Sequence, residues 1–414
     1  MNEKPNPIEL LAPAGTPEKL EIALHYGADA VYLAGKDFSL RNFSANFSLE
    51  EMQAARRLTR EQGVRMYVAV NIYSRDSETR AIADYLDALG GIEPDALIVA
   101  DPAVFMLARK RLSQIPIHIS TQANTTNTGT ARFWRDLGAT RVNTARELTL
   151  EEIRRITAES GIDVEAFVHG AMCMAYSGRC LLSGYMNNRA SNRGMCSQPC
   201  RFRYTLMEQK RPGQYFPIEE DPRGAYLFNS RDLCMIEHLP RMIDTGICAL
   251  KIEGRMKSIH YLAGVVKVYR EALDAWYENP ETYRVRKRWL KELAAISHRG
   301  YCTGFYFGDP QQTAANLDDA IRPGYRFVAK VIEKHPGGGV RVLVKNKMVT
   351  GDRVDLLSPG VPTRTDTIER IVDENGLTKP LAQPGSTVTL YLRRPPEALD
   401  LIRRCENRNM GEGK

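Results

Sequence analysis

The chain has 414 residues, 43% of them hydrophobic, with a formal net charge of +7 and a pI near 8.9. That length suits one large and one small domain, and the charge suits a polyanionic partner without proving one. No apolar run reaches the ~20 residues of a membrane span. The start, MNEKPNPIELLAPAG, is polar and then strand-like rather than a signal peptide, so no membrane partner and a cytoplasmic location are expected.

In chain order, Ile8–Ala12 is a short apolar run closed by Pro13-Ala14-Gly15. Thr16 can cap a helix that starts at Pro17, and Ala30–Leu33 is the next buried strand. The alternation repeats. Val64–Val70, Ala96–Val99, Ile117–Ser120, Arg141–Asn143, Val164–Val168 and Cys248–Ile252 read as strands. Helices are predicted after Pro102, over Thr130–Leu137, over Leu148–Ala158 with Thr149 as cap, and from about Ser258 to Trp276. Alternation at this count predicts an α/β fold, a (β/α)8 TIM-like barrel. PAGTP after the first strand is not a dinucleotide fingerprint, which places a doubly wound sheet second.

The barrel is expected over residues 1–300, with a cysteine cluster at 173–200 and a hairpin excursion at 205–226. Turn signals Arg211-Pro212-Gly213 and Asp221-Pro222-Arg223-Gly224 mark that excursion, and 281–300 reads as a basic helix. A linker is expected at 301–321. Short strands broken by Pro-Gly, Gly-Gly and Asn-Gly turns then predict a small C-terminal β-barrel over 322–396, and the tail 397–414 reads as helical and then frayed. Lys345, Lys347, Arg353, Arg393 and Arg394 form either ordinary surface charge or a phosphate-contacting patch.

In such a barrel the chemistry sits at the C-terminal ends of the strands. Asn71, Asp101, Ser120, Gln122, Asn143, Arg146, His169, Lys251, Glu253 and Arg255 all fall there. Lys251, Glu253 and Arg255 alternate, so on a strand they share one face. Two readings stand for that face. One is a structural ion pair. The other is a seat for a carboxylated small molecule, with Arg146 and Arg255 as bidentate clamps and Ser120, Gln122 and Asn229 as neutral partners. Lys251, Glu253 and His169 are the catalytic candidates, although a lone histidine is often only a packed one.

Four of the eight cysteines, Cys173, Cys180, Cys196 and Cys200, are spaced C-x6-C-x15-C-x3-C. The first gap is too long for a zinc knuckle, whereas an iron–sulfur cluster accepts irregular spacing. A 4Fe-4S cluster, zinc, and unliganded thiols all remain open, with Cys234 as the rival to Cys200 for a fourth ligand.

The stretch Glu165-x-Phe167-x-x-Gly170-Ala171-Met172-Cys173-x4-Gly178-x-Cys180-x-Leu182-Ser183 resembles the signature of the collagenase-like U-32 peptidase family. Leu10–Gly15, Ser120-Thr121-Gln122, Asn229–Leu233 and Lys251–Arg255 agree with it, so the resemblance spans nearly the whole chain. Within the family, CSQPCRFRY and RPGQYF are most similar to the tRNA-hydroxylating branch. That resemblance implies oxygen-independent, prephenate-dependent hydroxylation of the tRNA wobble uridine to 5-hydroxyuridine, with a 4Fe-4S cluster on the four cysteines. Prephenate is then a co-substrate, tRNA the partner, and a partner subunit of the same family is left open. The alternatives are hydroxylation of a quinone precursor or of ribosomal RNA, and collagenase-like proteolysis. Proteolysis leaves all but one cysteine unexplained, and no H-E-x-x-H motif exists.

Overall fold

The structure is a computed structural model that describes residues 7–39, 46–173, 175–201, 205–207, 215–217, 231–308 and 324–406. Contacts divide the chain into two compact units. The first holds residues 1–20, 28–257 and 298–320, and the second holds 21–27, 258–297 and 321–414.

The first unit is a closed parallel barrel. Strands β1 (Glu9–Pro13), β2 (Ala30–Leu33), β3 (Arg65–Val70), β4 (Ala96–Val99), β5 (Ile117–Ile119), β6 (Arg141–Asn143) and β7 (Asp163–Ala171) pair in sequence order. A hairpin, β8 (Thr205–Met207) and β9 (Tyr215–Pro217), lies in the expected excursion. Its two predicted turns and Asn229 lie outside the described residues. After β10 (Asp232–Cys234), strand β11 (Ala249–Ile252) closes the ring between β7 and β1. Nine-residue β7 outruns its four-residue neighbour β11. Its free upper edge takes β10 antiparallel at His169–Ala171, and β12 (Tyr301–Cys302) pairs beyond it. The stretch expected as a linker therefore begins as a strand.

Helices α1 (Pro17–His25), α2 (Leu49–Glu61), α3 (Thr79–Gly90), α4 (Pro102–Arg111), α5 (Thr128–Asp136) and α6 (Leu150–Ser160) alternate with the first seven strands. Their starts follow from capping. Thr16 accepts from the Lys19 amide, Asp101 from the Ala103 and Val104 amides, and Thr149 forms a capping box with Glu152. Short α7 (Leu182–Asn187) and α8 (Leu239–Ile243) lie between β7 and β11.

Inside the barrel, Leu11, Tyr32, Tyr67, Ala69 and Ile98 form an apolar layer. With it sits a buried charge network. Arg141 bonds Glu9 at 2.9 Å and reaches Glu165 at 3.5 Å, and Lys251 bonds Glu165 at 2.7 Å. The Tyr67 hydroxyl donates to Glu9 and Asn143 donates to Glu165.

The second unit is built on an antiparallel, curled sheet. Its strands are β13 (Tyr325–Lys334), β14 (Val340–Val344), β16 (Arg353–Leu357), β17 (Arg364–Thr367), β18 (Arg370–Val372), β19 (Thr378–Lys379), β21 (Thr387–Tyr391) and β22 (Leu401–Cys405). The order is β17-β16-β22-β13-β14-β21-β18-β19, beside a two-stranded pair β15 (Met348–Val349) and β20 (Leu381–Ala382). Alternate valines such as Val340, Val342 and Val344 fill its core. The tail does not begin as a helix: Leu401 and Ile402 are buried, and β22 pairs with both β13 and β16. A helix there would leave those strands without their partner.

Residues 258–297, expected inside the barrel domain, group with this sheet. Helix α9 (Ile259–Glu278) presents Lys267, which donates to Glu271 and to the Ser358 and Val361 carbonyls. The basic helix is shorter than predicted, α10 (Lys287–Ala294). Its Glu292 takes both ends of the buried Arg403 guanidinium, at 2.5 and 3.1 Å. Among the described residues no helix is long and apolar enough to cross a membrane.

Candidate active site at the barrel mouth

The C-terminal ends of β3, β5, β6, β7 and β11 open on one cavity of about 50 Å³, room for a few waters. Ser120, Gln122, Arg146, Lys251, Glu253 and Arg255 all line it, with Asn71, Asn143 and Phe167. Only Lys251 lies within β11. Glu253 and Arg255 follow the strand's end at Ile252, so the loop brings them to the mouth rather than strand alternation alone.

The turn Pro13-Ala14-Gly15 sets that loop. A Cβ on Gly15 would stand 2.4 Å from the Arg255 carbonyl oxygen. Lys19 donates to the same oxygen at 2.8 Å. Burial, then the Arg255 charge, hold the Lys19 pKa below its ordinary value. The Arg255 guanidinium is buried and donates to Asn46 Oδ1 at 2.5 Å.

Arg146 joins the cavity to the cysteines. One guanidinium nitrogen lies 3.3 Å from Cys173 Sγ, the other 3.1 Å from Glu253 Oε2, and the group stacks 4.0 Å over the Phe167 ring. Burial alone would lower its pKa, but Cys173 and Glu253 hold it above the ordinary value. Lys251 is committed to Glu165 and lies 4.6 Å over the Tyr32 ring. Asn71 donates to Ser120 Oγ, which also caps the turn carrying Gln122.

The cysteine loop follows β7 directly and is fastened at several points. Tyr73, just beyond β3, donates to the carbonyls of Gln122 and Gly178 at 2.6 and 3.1 Å. Gly178 has φ +75°, and a Cβ there would fall 2.0 Å from the Gln122 carbonyl oxygen, so only glycine fits. Arg193 grips Glu78 with both guanidinium nitrogens and donates to the Tyr73 carbonyl. Those hydrogen bonds hold the Glu78 carboxyl below its ordinary range. Ser177 donates to Glu147. Tyr73, Glu78, Glu147 and Arg193 carry no motif of their own, so sequence reasoning missed them.

Of the four loop cysteines, Cys173 is exposed and the other three are half-buried. Arg146 donates to Cys173 Sγ, and the Gln198 amide donates to Cys196 Sγ at 3.4 Å. Soft thiols with such donors match the chemistry of an iron–sulfur site. Among the described residues no three His, Cys, Asp or Glu side chains are gathered as a metal site. Cys200 sits in a helical turn, Pro199–Arg201, that packs on α7. Cys234 lies on β10, opposite His169.

His169 is placed apart from the cavity lining. It is 1% exposed, its ring 5.3 Å from that of Tyr301, which stacks on His298. Burial pushes its pKa down to about 3, so it is neutral at pH 7. Its contribution to the mouth comes through its backbone, whose carbonyl accepts the Glu253 amide at 2.9 Å.

The comparisons decide the family. Peptidase family U32 matches residues 15–316, and the family's C-terminal domain matches residues 323–403. The chain belongs to peptidase family U32. Among similar U32-related proteins, tRNA hydroxylation protein P1 of Bacillus subtilis is 40% identical over 89% of this chain and 87% of its own length. tRNA hydroxylation protein P of Escherichia coli is 36% identical over 94% of each. A protein named collagenase from Porphyromonas gingivalis is 33% identical over 73% of this chain and 74% of its own. The U32 match thus covers both units, and the loop from Glu165 to Ser183 lies inside its first segment.

Proposed function

We propose that this U32 member is a tRNA-modifying hydroxylase that converts the wobble uridine to 5-hydroxyuridine. The observation that carries the reading is similarity along almost the full length of relatives named for tRNA hydroxylation. The mouth is chemically compatible with it. Tyr176 and Tyr185 on the cysteine loop are 63% and 91% exposed, and Arg179 of the same loop is also exposed. Exposed aromatic faces next to cations are what unstacked bases require.

A cluster held by Cys173, Cys180, Cys196 and Cys200, with Cys234 the rival for the fourth place, would supply one-electron redox chemistry. The chain's own residues would do the rest. Arg146 shares its charge between Cys173 and Glu253. A carboxylate of prephenate can displace Glu253 and take the guanidinium bidentately. Glu253, once released, is a carboxylate at the mouth able to accept a proton. Lys251 keeps Glu165 and presents positive charge from below. Phe167 and Tyr32 wall the cavity against water.

Proteolysis fits less well, because Cys173 contacts Arg146 while His169 packs against Tyr301. The deciding experiment is mass analysis of tRNA nucleosides from a strain lacking this gene. Loss of 5-hydroxyuridine derivatives is expected. Unchanged levels, with no redundant pathway present, sink the reading.

A further inference from the structure

The second unit carries a groove of about 320 Å³ whose charge is one-sided. Strand β17 is the end strand of the sheet, and β16 is its only neighbour there. Arg364 opens β17, and Arg353 opens β16 opposite Thr367. Arg393 and Arg394 follow β21 and return to the same place, the Arg394 amide donating to Asp366 Oδ2 at 3.0 Å. Four guanidinium groups thus line one concavity.

Its single carboxylate, Asp366, is occupied by backbone amides, those of Thr367 at 2.7 Å and Arg394. Among the described residues Arg353, Arg364 and Arg394 form no ion pair, and the buried Nε of Arg364 has no hydrogen-bond partner. Arg393 meets Glu369 at 3.3 Å with both side chains exposed, a pair of little strength. Other arginines of this unit do have carboxylate partners, Arg403 with Glu292, Arg404 with Asp352, Arg341 with Glu333 and Glu374, while Arg370 lies over the Tyr391 ring. Guarding an end strand against edge pairing takes an outward charge or two. It does not call for four arginines converging on one hollow.

The lining also identifies the ligand class. Its one apolar member, Leu356, is buried, so no aromatic or aliphatic anchor is offered to a protein partner. Planar guanidinium forks, with Thr367 in the same lining and Thr365 engaged by Asp355 at 2.9 Å, match the oxygens of successive phosphodiesters. We propose that this groove binds the sugar–phosphate backbone of RNA. The inference rests on the tRNA reading for its choice of RNA.

The test uses the full chain and unmodified tRNA, titrated by fluorescence anisotropy at several salt concentrations. Arg353 and Arg394 are exposed, so the Arg353→Ala/Arg394→Ala double variant should keep its fold, checked by melting. Its affinity should fall at least ~10-fold near 0.1 M salt, and the log–log salt slope should drop by about 2, one unit per lost phosphate contact. Arg364→Lys, which keeps charge but loses the fork, should show a smaller loss. With hydroxylation as the readout, KM for tRNA should rise while kcat holds. A folded double variant with wild-type affinity and slope overturns the groove, as does a wild-type chain that binds no tRNA. Unchanged nucleosides in the deletion strain with tRNA binding intact would overturn the hydroxylase reading and leave the groove standing.

Discussion

The floor and the mouth of the barrel both hold buried cations, yet they are wired differently. On the floor, Arg141 and Lys251 are answered by Glu9 and Glu165, with Tyr67 and Asn143 filling the remaining acceptors. At the mouth, Arg146 is divided between a carboxylate and a thiol, and the loop over it is held by glycine and side-chain anchors. A closed network fixes the structure around it. A cation with exchangeable partners can give one up to a ligand. On the proposed function the mouth, where Arg146 can change partners, is the working surface, and the network beneath it, which includes the cavity-lining Lys251 and Asn143, is its support.

The largest effect should come from breaking the floor. Glu165→Ala strands Lys251 and loosens Arg141, which should cost about 3–5 kcal/mol. Thermal melting would show it, and a loss under about 1 kcal/mol would remove the scaffold assignment. Next is the loop. Gly178→Ala places a methyl against the Gln122 carbonyl in a left-handed conformation. Strain of about 1–3 kcal/mol is expected, seen as faster proteolysis within 175–200 while the barrel melts almost normally. Cutting at an unchanged rate would argue that the loop is not seated there.

Cys180→Ala sharpens the mouth's side of the comparison. Anaerobically purified protein should be brown with about four irons per chain, and this variant should lose the absorbance band with little change in stability. An iron-poor, colourless wild type contradicts the cluster. Arg146→Lys keeps the charge and loses the fork, so activity should fall roughly 10–100-fold through KM for the carboxylate co-substrate, with melting unchanged. An equal loss of stability would make Arg146 part of the floor's logic instead.

The smallest effect concerns pH. The folded-state pKa of His169 is about 3, below its ordinary value of 6.5. Its neutral form is the one the fold accepts, so its contribution is complete above pH 6.5 and lost as pH falls toward 3. His169→Phe should flatten part of the stability loss between those values. An unchanged slope would assign acid sensitivity to other buried histidines, such as His118 and His260, which burial also holds low.

Much of the barrel was legible because local chemistry and fold agree there. Each short apolar strand and each capped helix start, such as Thr149 with Glu152 or Asp101 with Pro102, carries its own signal. Residues at strand ends were legible as a set, since parallel closure sends every such end to one face. Ser120, Gln122, Arg146, Lys251, Glu253 and Arg255 accordingly meet at one cavity. The β22 segment was misread because Pro396-Glu397-Ala398-Leu399 has helix-like composition, while the need to pair β13 and β16 is non-local.

By itself the sequence determined the alternation, the caps, the C-x6-C-x15-C-x3-C spacing and the glycines, because each depends on neighbours within a few residues. Tertiary structure alone decided that Lys251 answers Glu165, that Arg146 answers both Cys173 and Glu253, and that His169 packs away from the cavity. It also decided that Arg364 joins Arg353, Arg393 and Arg394 at one groove. Partners of a buried charge are chosen by burial and distance, and those exist only once strands far apart in the chain lie side by side.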